Sequence, residues 1–510
     1  MTPVSNNKRI AKNTIFLYIR MLIVMLVSLY TVRVVLNALG ALDYGINNVV
    51  SGVVVMFSFL TSSMVAASQR FFAFYLGQND IKKLSEYFIV SFWSYVGFIV
   101  FIIILAETLG LWFVMTQLTI PSERMGAAIW AYQCAIISFC FSIVSIPYNS
   151  IIIAREKMNI YAFGGLVEAF LKLLVAYLIT LILFDKLKVY SVLMCVMMGG
   201  VNFFYVAYCL RKFPECQIKR FWDKKIFKEV MSYSLWNLFG VLSGIIRSQG
   251  VNILLNMFFN PVVNAARAIA YQVNGAINQF VNNFYKAVQP QITKYYAAND
   301  QENLESLVFR SSRFCFYLIF LLSLPILIET PFVLKLWLKN LPENTVLFTR
   351  LVIIIAIIDS ISYPLQTSIS ATGKIKYFQI VTGGLLLMNL PIAWLLLHLG
   401  YPPESTMYIA MVISIIAQVT RVFFARVYNH FSINAYMLNV LRPIFAVGFL
   451  SIIIPIILLG YMNEGFLRFV IVLASCMSFT IIFVWLIGIT SSERHTIITA
   501  VNNRLSWGRV

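Results

Sequence analysis

The sequence predicts an all-α polytopic membrane protein of about fourteen transmembrane helices, and three observations support this. First, 60% of the 510 residues are hydrophobic and 12% are charged, and the mean hydropathy is +0.83, far from the values of a soluble globular domain. Second, the apolar residues come in runs of about twenty, which is the length of a helix that crosses a bilayer. Third, several short motifs recur in one register, which indicates an internal repeat.

The predicted helices follow one another with short polar connections. The polar start "MTPVSNNKRIAKN" leads into an apolar run too long for a signal peptide, so we expect the first helix to remain. An even number of spans places both termini on the same side of the membrane. The spans centre near Val24, Met56, Ile102, Phe139, Leu173, Met198, Phe239, Gln272, Phe320, Ile357, Leu387, Ile415, Ile452 and Phe479, and the one at Gln272 is the most polar.

Basic residues are distributed unevenly over the connecting loops. Roughly 24 of the Lys and Arg residues fall on the side of the N-terminus and about 7 on the other side, so the positive-inside rule makes both termini cytoplasmic. The largest basic run, "RKFPECQIKRFWDKKIFKE" at 211–229, connects two spans. Topology therefore explains the net charge of +19, and we expect no nucleic-acid partner.

Three pairs of segments align in one register across the two halves of the chain. "RVVLNALGALDYG" aligns with "NILLNMFFNPVVN", "GQNDIKKL" with "AANDQENL", and "SIPYNSIIIAREK" with "SYPLQTSISATGK". A repeat of six spans gives two parallel lobes related by a pseudo-twofold axis along the membrane normal, with a further helix pair at the C-terminus. The predicted boundaries are 1–213 for the N-lobe, 214–228 for a basic cytoplasmic loop, 229–431 for the C-lobe, and 432–510 for the last two spans and a cytoplasmic tail.

Charged residues inside the predicted spans are mostly basic. An arginine at mid-bilayer costs roughly 2.5 to 3.5 kcal/mol, so each needs a compensating partner, a function or an escape to the interface. For Arg20 and Arg70, snorkelling to the cytoplasmic interface is one explanation, and Arg421 is also interpretable as an ordinary helix-end charge. The basic residues are Arg20, Arg33, Arg70, Lys172, Arg247, Arg267, Lys286 and Arg421, and the acidic ones are Glu168 and Asp359.

A polar stripe follows the eighth predicted span. Asn274, Asn278, Asn282 and Lys286 recur every four residues, and Arg267 lies near the same side. Such a stripe does not face lipid. It either packs into a hydrogen-bonded seam or faces a wet cavity, where amides and cations suit sugar hydroxyls and phosphates.

The two acidic residues have two explanations each. Glu168 and Lys172 are spaced i, i+4 in the favourable order, so they form a neutralising pair or Glu168 takes part in ion coupling. Asp359 either bonds to a neighbouring arginine or titrates as part of ion coupling.

The sequence has few residues suited to enzymatic or metal chemistry. The seven cysteines fall singly, and the three histidines sit at span ends or in a tail, so we predict no disulfide framework, no metal site and no cofactor. A membrane-embedded glycan polymerase or ligase usually needs a sizeable outer loop, and the sequence has none. We therefore expect a protein that is not an enzyme.

Four segments carry a resemblance to a known family. "LNALGALDYGINNVVSGVVVMFSFL", "QRFFAFYLG", "IAREKM" and "QGVNILLN" resemble the polysaccharide flippases of O-antigen and capsule repeat units. That family belongs to the multidrug/oligosaccharidyl-lipid/polysaccharide exporter superfamily and is related to lipid II flippases and MATE exporters. The resemblance implies a MATE-like fold in the bacterial inner membrane, acting as a monomer on undecaprenyl-pyrophosphate-linked oligosaccharide.

The excess of buried cations separates the candidate substrates. A site for cationic drugs calls for acids and aromatic faces, whereas a pyrophosphate calls for Arg and Lys. We therefore expect a flippase that works by alternating access, with H⁺, Na⁺ or the membrane potential as the driving force; the alternatives are a MATE-type cation-coupled multidrug antiporter and a lipid II flippase. The expected substrate-binding residues are Arg20, Arg33, Arg247, Arg267, Lys286, Asn274, Asn278 and Asn282, and the expected ion-coupling residues are Asp359 and Glu168.

Overall fold

The described part of the chain is all-helical, as predicted. The computed structural model describes residues 3–55, 57–116, 118, 120–259, 261–338, 342–495 and 498, and no β-strand occurs among them. Twelve of the described helices are long and apolar enough to cross a membrane, and a bent pair, Leu42–Val54 with Ser58–Gly77, raises this number to thirteen. The predicted span centre Met56 and the residues 496–497 and 499–510 of the predicted tail lie outside the described residues.

The chain divides into two compact units, residues 10–241 and residues 242–510 with 1–9. The helices of the first unit are α1 (Pro3–Val55), α2 (Ser58–Gly77), α3 (Ile81–Leu105), α4 (Leu111–Thr116), α5 (Ser122–Ala154), α6 (Met158–Leu178), α7 (Lys186–Lys212) and the first half of α8 (Lys224–Phe258). The border between the units falls inside α8, and α1 begins in the second unit.

The second unit contains the other helices. They are α9 (Pro261–Ala297), α10 (Gln301–Ile328), α11 (Thr330–Trp337), α12 (Thr345–Ser360), α13 (Tyr363–Ala371), α14 (Lys376–Leu387), α15 (Asn389–His398), α16 (Ser405–Asn429), α17 (Ile433–Tyr436), α18 (Arg442–Tyr461) and α19 (Phe466–Phe483). The predicted span at Gln272 is the 37-residue helix α9. Its polarity keeps it outside the set of apolar spanning helices.

Helix α1 breaks at Gly40, where the backbone has φ 77° and ψ 166°. Residues other than glycine rarely adopt a positive φ, because the Cβ atom then crowds the backbone. The break separates the first spanning segment, Arg9–Gly40, from the segment that starts at Leu42. A glycine therefore ends the first predicted span inside a continuous apolar stretch.

Two turns that the predicted repeat aligns have the same local backbone. Asn79 and Asn299 both have φ 56°, and the aspartate after each caps the next helix. Asp80 accepts a hydrogen bond from the Lys83 amide at 2.9 Å, and Asp300 accepts one from the Asn303 amide at 3.3 Å. An aspartate at this position satisfies one of the free amides at a helix N-terminus. The motif "ND" thus forms the same turn and cap in both units.

A second matched turn follows the proline-containing helices. Glu156 in "AREK" has φ 57° and the aligned Gly373 in "ATGK" has φ 77°. In the first unit this turn is anchored further, because Arg155 pairs with the buried Glu215 of the loop that follows α7 and stacks over Phe213 at 4.9 Å. The "IAREKM" segment is therefore a structural corner.

The C-terminal helix pair is fixed to α10 by polar contacts. Arg313 donates hydrogen bonds to the Asn439 carbonyl at 2.7 Å and to the Glu493 carboxylate at 2.6 Å. Tyr317 donates to the Gly488 carbonyl at 3.0 Å. These contacts occupy Nη1 and Nη2 of the buried Arg313 guanidinium and the Gly488 carbonyl, so the helix pair outside the repeat packs against α10 in a defined register.

Candidate functional site

An ion pair between a buried arginine and a partly exposed aspartate lies inside the second unit. Arg421 on α16 is only 8% exposed, and its Nη1 atom lies 3.7 Å from Oδ1 of Asp359 on α12. That distance is too long for a hydrogen bond, and Nε and Nη1 of Arg421 are both buried without a hydrogen-bond partner. The pair therefore neutralises charge while leaving two guanidinium donors unused.

A second arginine reaches the same carboxylate through a serine. Ser414 donates a hydrogen bond to Oδ2 of Asp359 at 3.4 Å. Arg247 on α8 donates to the Ser414 hydroxyl and to the Ala410 carbonyl, each at 3.4 Å. Ser414 lies on the same face of α16 as Arg421, two turns earlier. Asp359 is thus the meeting point of two guanidinium groups from different helices.

A third arginine completes the cluster. Arg267 on α9 is buried, donates a hydrogen bond to the Ser248 carbonyl at 2.9 Å and stacks on Tyr271 at 4.4 Å. Arg247 lies within electrostatic range of both Arg267 and Arg421. We call Arg247, Arg267, Arg421 and Asp359 the arginine cluster; its four members carry three positive charges and one negative charge.

The polar stripe of α9 is partly hydrogen-bonded. Asn278 donates to the Asn274 side chain at 2.6 Å, and Tyr363, four residues after Asp359, donates to the Asn278 side chain at 3.4 Å. Asn282 and Lys286 are exposed. Asn274 and Asn278 are thus hydrogen-bonded within the helix and to Tyr363, while the cavity explanation for Asn282 and Lys286 stays a prediction.

In the first unit Arg20 lies against an aromatic ring and a glycine; we call Arg20, Tyr161 and Gly165 the Arg20 platform. Its guanidinium stacks over the Tyr161 ring at 4.8 Å, and its buried Nε has no hydrogen-bond partner. A Cβ atom added to Gly165 would overlap Nε and lie 2.7 Å from Cζ of Arg20. The glycine thus makes room for the guanidinium against α6.

The remaining predicted site residues of the first unit lie apart from the Arg20 platform. Arg33 is exposed on α1, about 20 Å along the helix from Arg20 at 1.5 Å per residue. Glu168 and Lys172 form an ion pair at 2.6 Å, with both side chains partly exposed. The structure therefore has a carboxylate–ammonium contact on α6, as the i, i+4 spacing suggested.

Three participants could not be identified from the sequence. Ser414, Tyr161 and Gly165 have no charge to single them out in an apolar span. The spacing of seven between Ser414 and Arg421 is the one available signal, because it places both on one face of α16. Among the described residues, no group of three or more His, Cys, Asp or Glu side chains is arranged to hold a metal ion.

The chain has no match among family models and no relative among curated proteins, but it is similar to several solved structures. A MATE structure in the straight conformation has a TM-score of 0.71 at 14% identity, over 83% of this chain and 96% of that one. An outward-facing multidrug resistance MATE family transporter of the MOP superfamily has a TM-score of 0.71 at 15% identity, with the same coverage of both chains.

A third similar structure is a MOP superfamily transporter from Pyrococcus furiosus, described by the reverse polarity of its binding pocket, which suggests a different function. It has a TM-score of 0.68 at 13% identity over 83% of this chain and 96% of that one. Together these likenesses define the class: this is a multi-pass membrane protein with a MATE-like fold. The predicted fold class is thereby confirmed.

Proposed function

We propose that the protein is a flippase that moves undecaprenyl-pyrophosphate-linked oligosaccharide repeat units from the cytoplasmic to the periplasmic leaflet of the bacterial inner membrane. The observation that carries this proposal is the arginine cluster, where Arg421 pairs with Asp359, Arg247 is linked to the same carboxylate through Ser414, and Arg267 adds a third guanidinium without a carboxylate contact of its own. A cluster with two uncompensated positive charges favours an anion, and a pyrophosphate carries about two negative charges.

The donors of the cluster suit a diphosphate. Guanidinium groups bind phosphate oxygens in a two-pronged geometry that lysine cannot reproduce. Nε and Nη1 of Arg421 are available for such bonds, and the exposed Asn282 and Lys286 offer donors to sugar hydroxyls and phosphates. Arg267 and Arg421 are buried, which strengthens their contacts with a phosphate relative to water.

The mechanism follows from the ordinary requirements of lipid flipping. The charged headgroup needs a polar route across the membrane, while the polyprenyl chain stays in the hydrocarbon phase. In an inward-facing state the guanidiniums bind the pyrophosphate, and a change to an outward-facing state releases it. In the first unit, the platform of Arg20 on Tyr161 and Gly165 offers a phosphate contact, and Arg33, about 20 Å along α1 from Arg20, would contact the headgroup nearer the periplasmic side.

A known variation within this fold supports an anionic substrate. The MOP superfamily transporter from Pyrococcus furiosus is described as having a binding pocket of reverse polarity, which suggests a different function. Binding pockets in this fold therefore differ in the sign of their charge. In this chain, the arginine cluster has three arginines and one carboxylate, so its net charge is positive.

The second candidate is a MATE-type cation-coupled multidrug antiporter, favoured by the similar MATE structures. In that function Asp359 binds the coupling ion, H⁺ or Na⁺, and the arginines are replaceable. Glu168 is the other carboxylate available for coupling. This candidate and the flippase make opposite predictions for Arg247 and Arg421.

A thermal-stability assay on the purified full-length protein distinguishes the two functions. The ligands are a polyprenyl-pyrophosphate-linked oligosaccharide and a cationic dye, each added to wild type, Arg247→Ala and Arg421→Ala. A ligand at 100 times its dissociation constant stabilises by about 2.7 kcal/mol. Arg426→Ala is the matched control, because Arg426 is exposed on the same helix.

We expect the lipid-linked oligosaccharide to raise the melting temperature of wild type and of Arg426→Ala, and to lose this effect in the two cluster variants. A shift with the dye alone, equal in all four proteins, would overturn the proposal in favour of the antiporter.

A further inference from the structure

The first half of α8 carries an apolar groove that the proposed transport function does not use. The groove is open, has a volume of about 500 Å³ and is lined by α8 alone; its lining is apolar except for two lysines at one end and Ser232. Lys224 and Lys228 lie at that end, and Met231, Leu235 and Phe239 continue along the same face of the helix. The groove is thus amphipathic along its length, with charge at one end and hydrocarbon beyond it.

The length of the groove matches one leaflet of a bilayer. From Lys228 to Phe239 the helix rises about 16 Å, at 1.5 Å per residue. Half of a hydrocarbon core of about 30 Å is about 15 Å. A lipid chain that starts at the lysines would therefore run along the groove to the middle of the membrane.

The opposite face of the first half of α8 packs against other helices of the first unit. Ile226, Val230 and Tyr233 are buried, and Tyr233 lies 5.8 Å from the Arg70 guanidinium. Glu229 accepts a hydrogen bond from Tyr87. These contacts fix the rotation of the helix, so that the groove face points away from the protein core of that unit.

The charge at the polar end suits an anionic headgroup. Lys224 and Lys228 are one turn apart and both are exposed. They belong to the basic 211–229 segment, which the positive-inside rule places at the cytoplasmic surface. Anionic lipids of that leaflet attract basic residues near the surface. Two lysines one turn apart can hold one phosphate between them.

We propose that this groove binds one anionic phospholipid of the cytoplasmic leaflet, with its phosphate on Lys224 and Lys228 and one acyl chain along Met231, Leu235 and Phe239. A phospholipid fits better than the polyprenyl substrate, since its acyl chain ends within one leaflet whereas a polyprenyl chain is much longer than the groove. The bound lipid is a structural ligand of α8, and the inference does not depend on the transported substrate.

Native mass spectrometry of the full chain in detergent, with phosphatidylglycerol or phosphatidylcholine added, tests this inference. Lys224→Ala/Lys228→Ala removes the headgroup contact, and Leu235→Trp fills the groove without changing charge. Lys82→Ala/Lys83→Ala is the matched control, because these lysines are also an exposed pair on the predicted cytoplasmic side. Equal melting temperatures in phosphatidylcholine establish that each variant is folded.

We expect wild type and the Lys82/Lys83 control to retain one phosphatidylglycerol in preference to phosphatidylcholine. The Lys224/Lys228 variant should lose this preference about tenfold, and Leu235→Trp should lose the retained lipid. Equal loss in the Lys82/Lys83 control would mean diffuse charge attraction and would overturn the site. Full retention by Leu235→Trp would also overturn it, since the lipid would then lie elsewhere.

Discussion

At the scale of single residues, the flippase proposal gives Asp359 the role of an anion that already lies among the arginines. Its carboxylate lies 3.7 Å from Nη1 of Arg421 and accepts a hydrogen bond from Ser414, which is itself bonded to Arg247. A carboxylate held so loosely among guanidinium groups competes with an incoming phosphate. Asp359 therefore acts in the flippase account as an internal anion that sets the affinity of the cluster.

Replacing this internal anion gives a clear prediction. Asp359→Asn should weaken the unliganded fold, because it leaves Arg421 buried without its counter-charge. It should also raise the affinity for the lipid-linked oligosaccharide about tenfold, equivalent to about 1.4 kcal/mol. A lower melting temperature without ligand and a larger ligand-induced shift are the measurements that check this.

Asp359→Glu keeps the charge and is the control. A fall in the affinity of Asp359→Asn for the lipid-linked sugar, together with loss of dye binding, would instead identify Asp359 as a coupling residue.

The partner of Asp359 illustrates what the sequence leaves open at this scale. Hydropathy and charge identify Asp359 and Arg421 as buried charges, and pairing with a neighbouring arginine was one of two explanations for the aspartate. Periodicity gives the face of each helix but not the helix that meets it. The contact between α12 and α16, and the linking role of Ser414, therefore required the structure.

At the scale of elements, α6 meets two other helices through consecutive glycines. Gly165 accommodates Arg20 of α1, and a Cβ on Gly164 would lie 2.7 Å from Cε1 of the Tyr205 ring on α7. Two glycines in a helix interior lower its intrinsic stability. They are used here because larger side chains would push both neighbours away.

Alanine at position 164 or 165 should therefore overpack the contact between α6 and the neighbouring helix. Gly164→Ala and Gly165→Ala should each destabilise by about 1 to 3 kcal/mol, and Gly165→Ala should also weaken ligand binding, since it displaces Arg20. Denaturation and thermal-shift measurements check both effects. Gly200→Ala on α7 is the control, because an added Cβ there meets nothing within 4 Å; equal destabilisation of all three variants would refute this account of the glycines.

A second element-scale contact ties three helices together at Arg124 of α5. Its guanidinium donates to Asp43 of α1 at 2.9 Å and to Asp185 at 3.1 Å, and Asp185 caps α7 by accepting from the Leu187 amide at 3.1 Å. Burial opposes ionisation of Asp185, but the hydrogen bonds from Arg124 and from the amides of α7 outweigh it. They hold the pKa of the Asp185 carboxyl below its ordinary value.

Removing Arg124 should destabilise the first unit in a pH-dependent way. Arg124→Ala should cost about 1.5 kcal/mol, at the low end for hydrogen bonds to charged groups because the pairs are partly exposed. A depressed carboxyl pKa stabilises the fold fully above the unfolded value of 3.8, and this contribution is lost as the pH falls through the folded value. The difference in melting temperature between wild type and variant should therefore be constant near pH 6 and shrink below about pH 4. A difference that stays constant to pH 3 would contradict this role for Asp185.

At the scale of the whole molecule, the fold class could be predicted because a bilayer permits few structures. Backbone groups in lipid must be bonded within the chain, so long apolar runs become helices. The predicted repeat aligns Asn79 with Asn299, and both residues have the same left-handed backbone, with φ 56°. Helix α9 shows the limit of hydropathy, because its 37 residues are too polar to be counted as a span. The domain boundaries at 213 and 229 remain a prediction.

The most direct test of the central claim is lipid flipping by the reconstituted protein. Liposomes carry a polyprenyl-pyrophosphate-linked oligosaccharide with a fluorescent sugar label, and a membrane-impermeant quencher reports the labels on the outer leaflet. We predict that wild-type protein exposes nearly all labels to the quencher, while Arg247→Ala/Arg421→Ala leaves only the outer-leaflet fraction quenched, as in protein-free liposomes. Two results would contradict this claim. One is lipid flipping by the double variant at the wild-type rate. The other is that the wild type flips no lipid in vesicles where it exports a cationic dye.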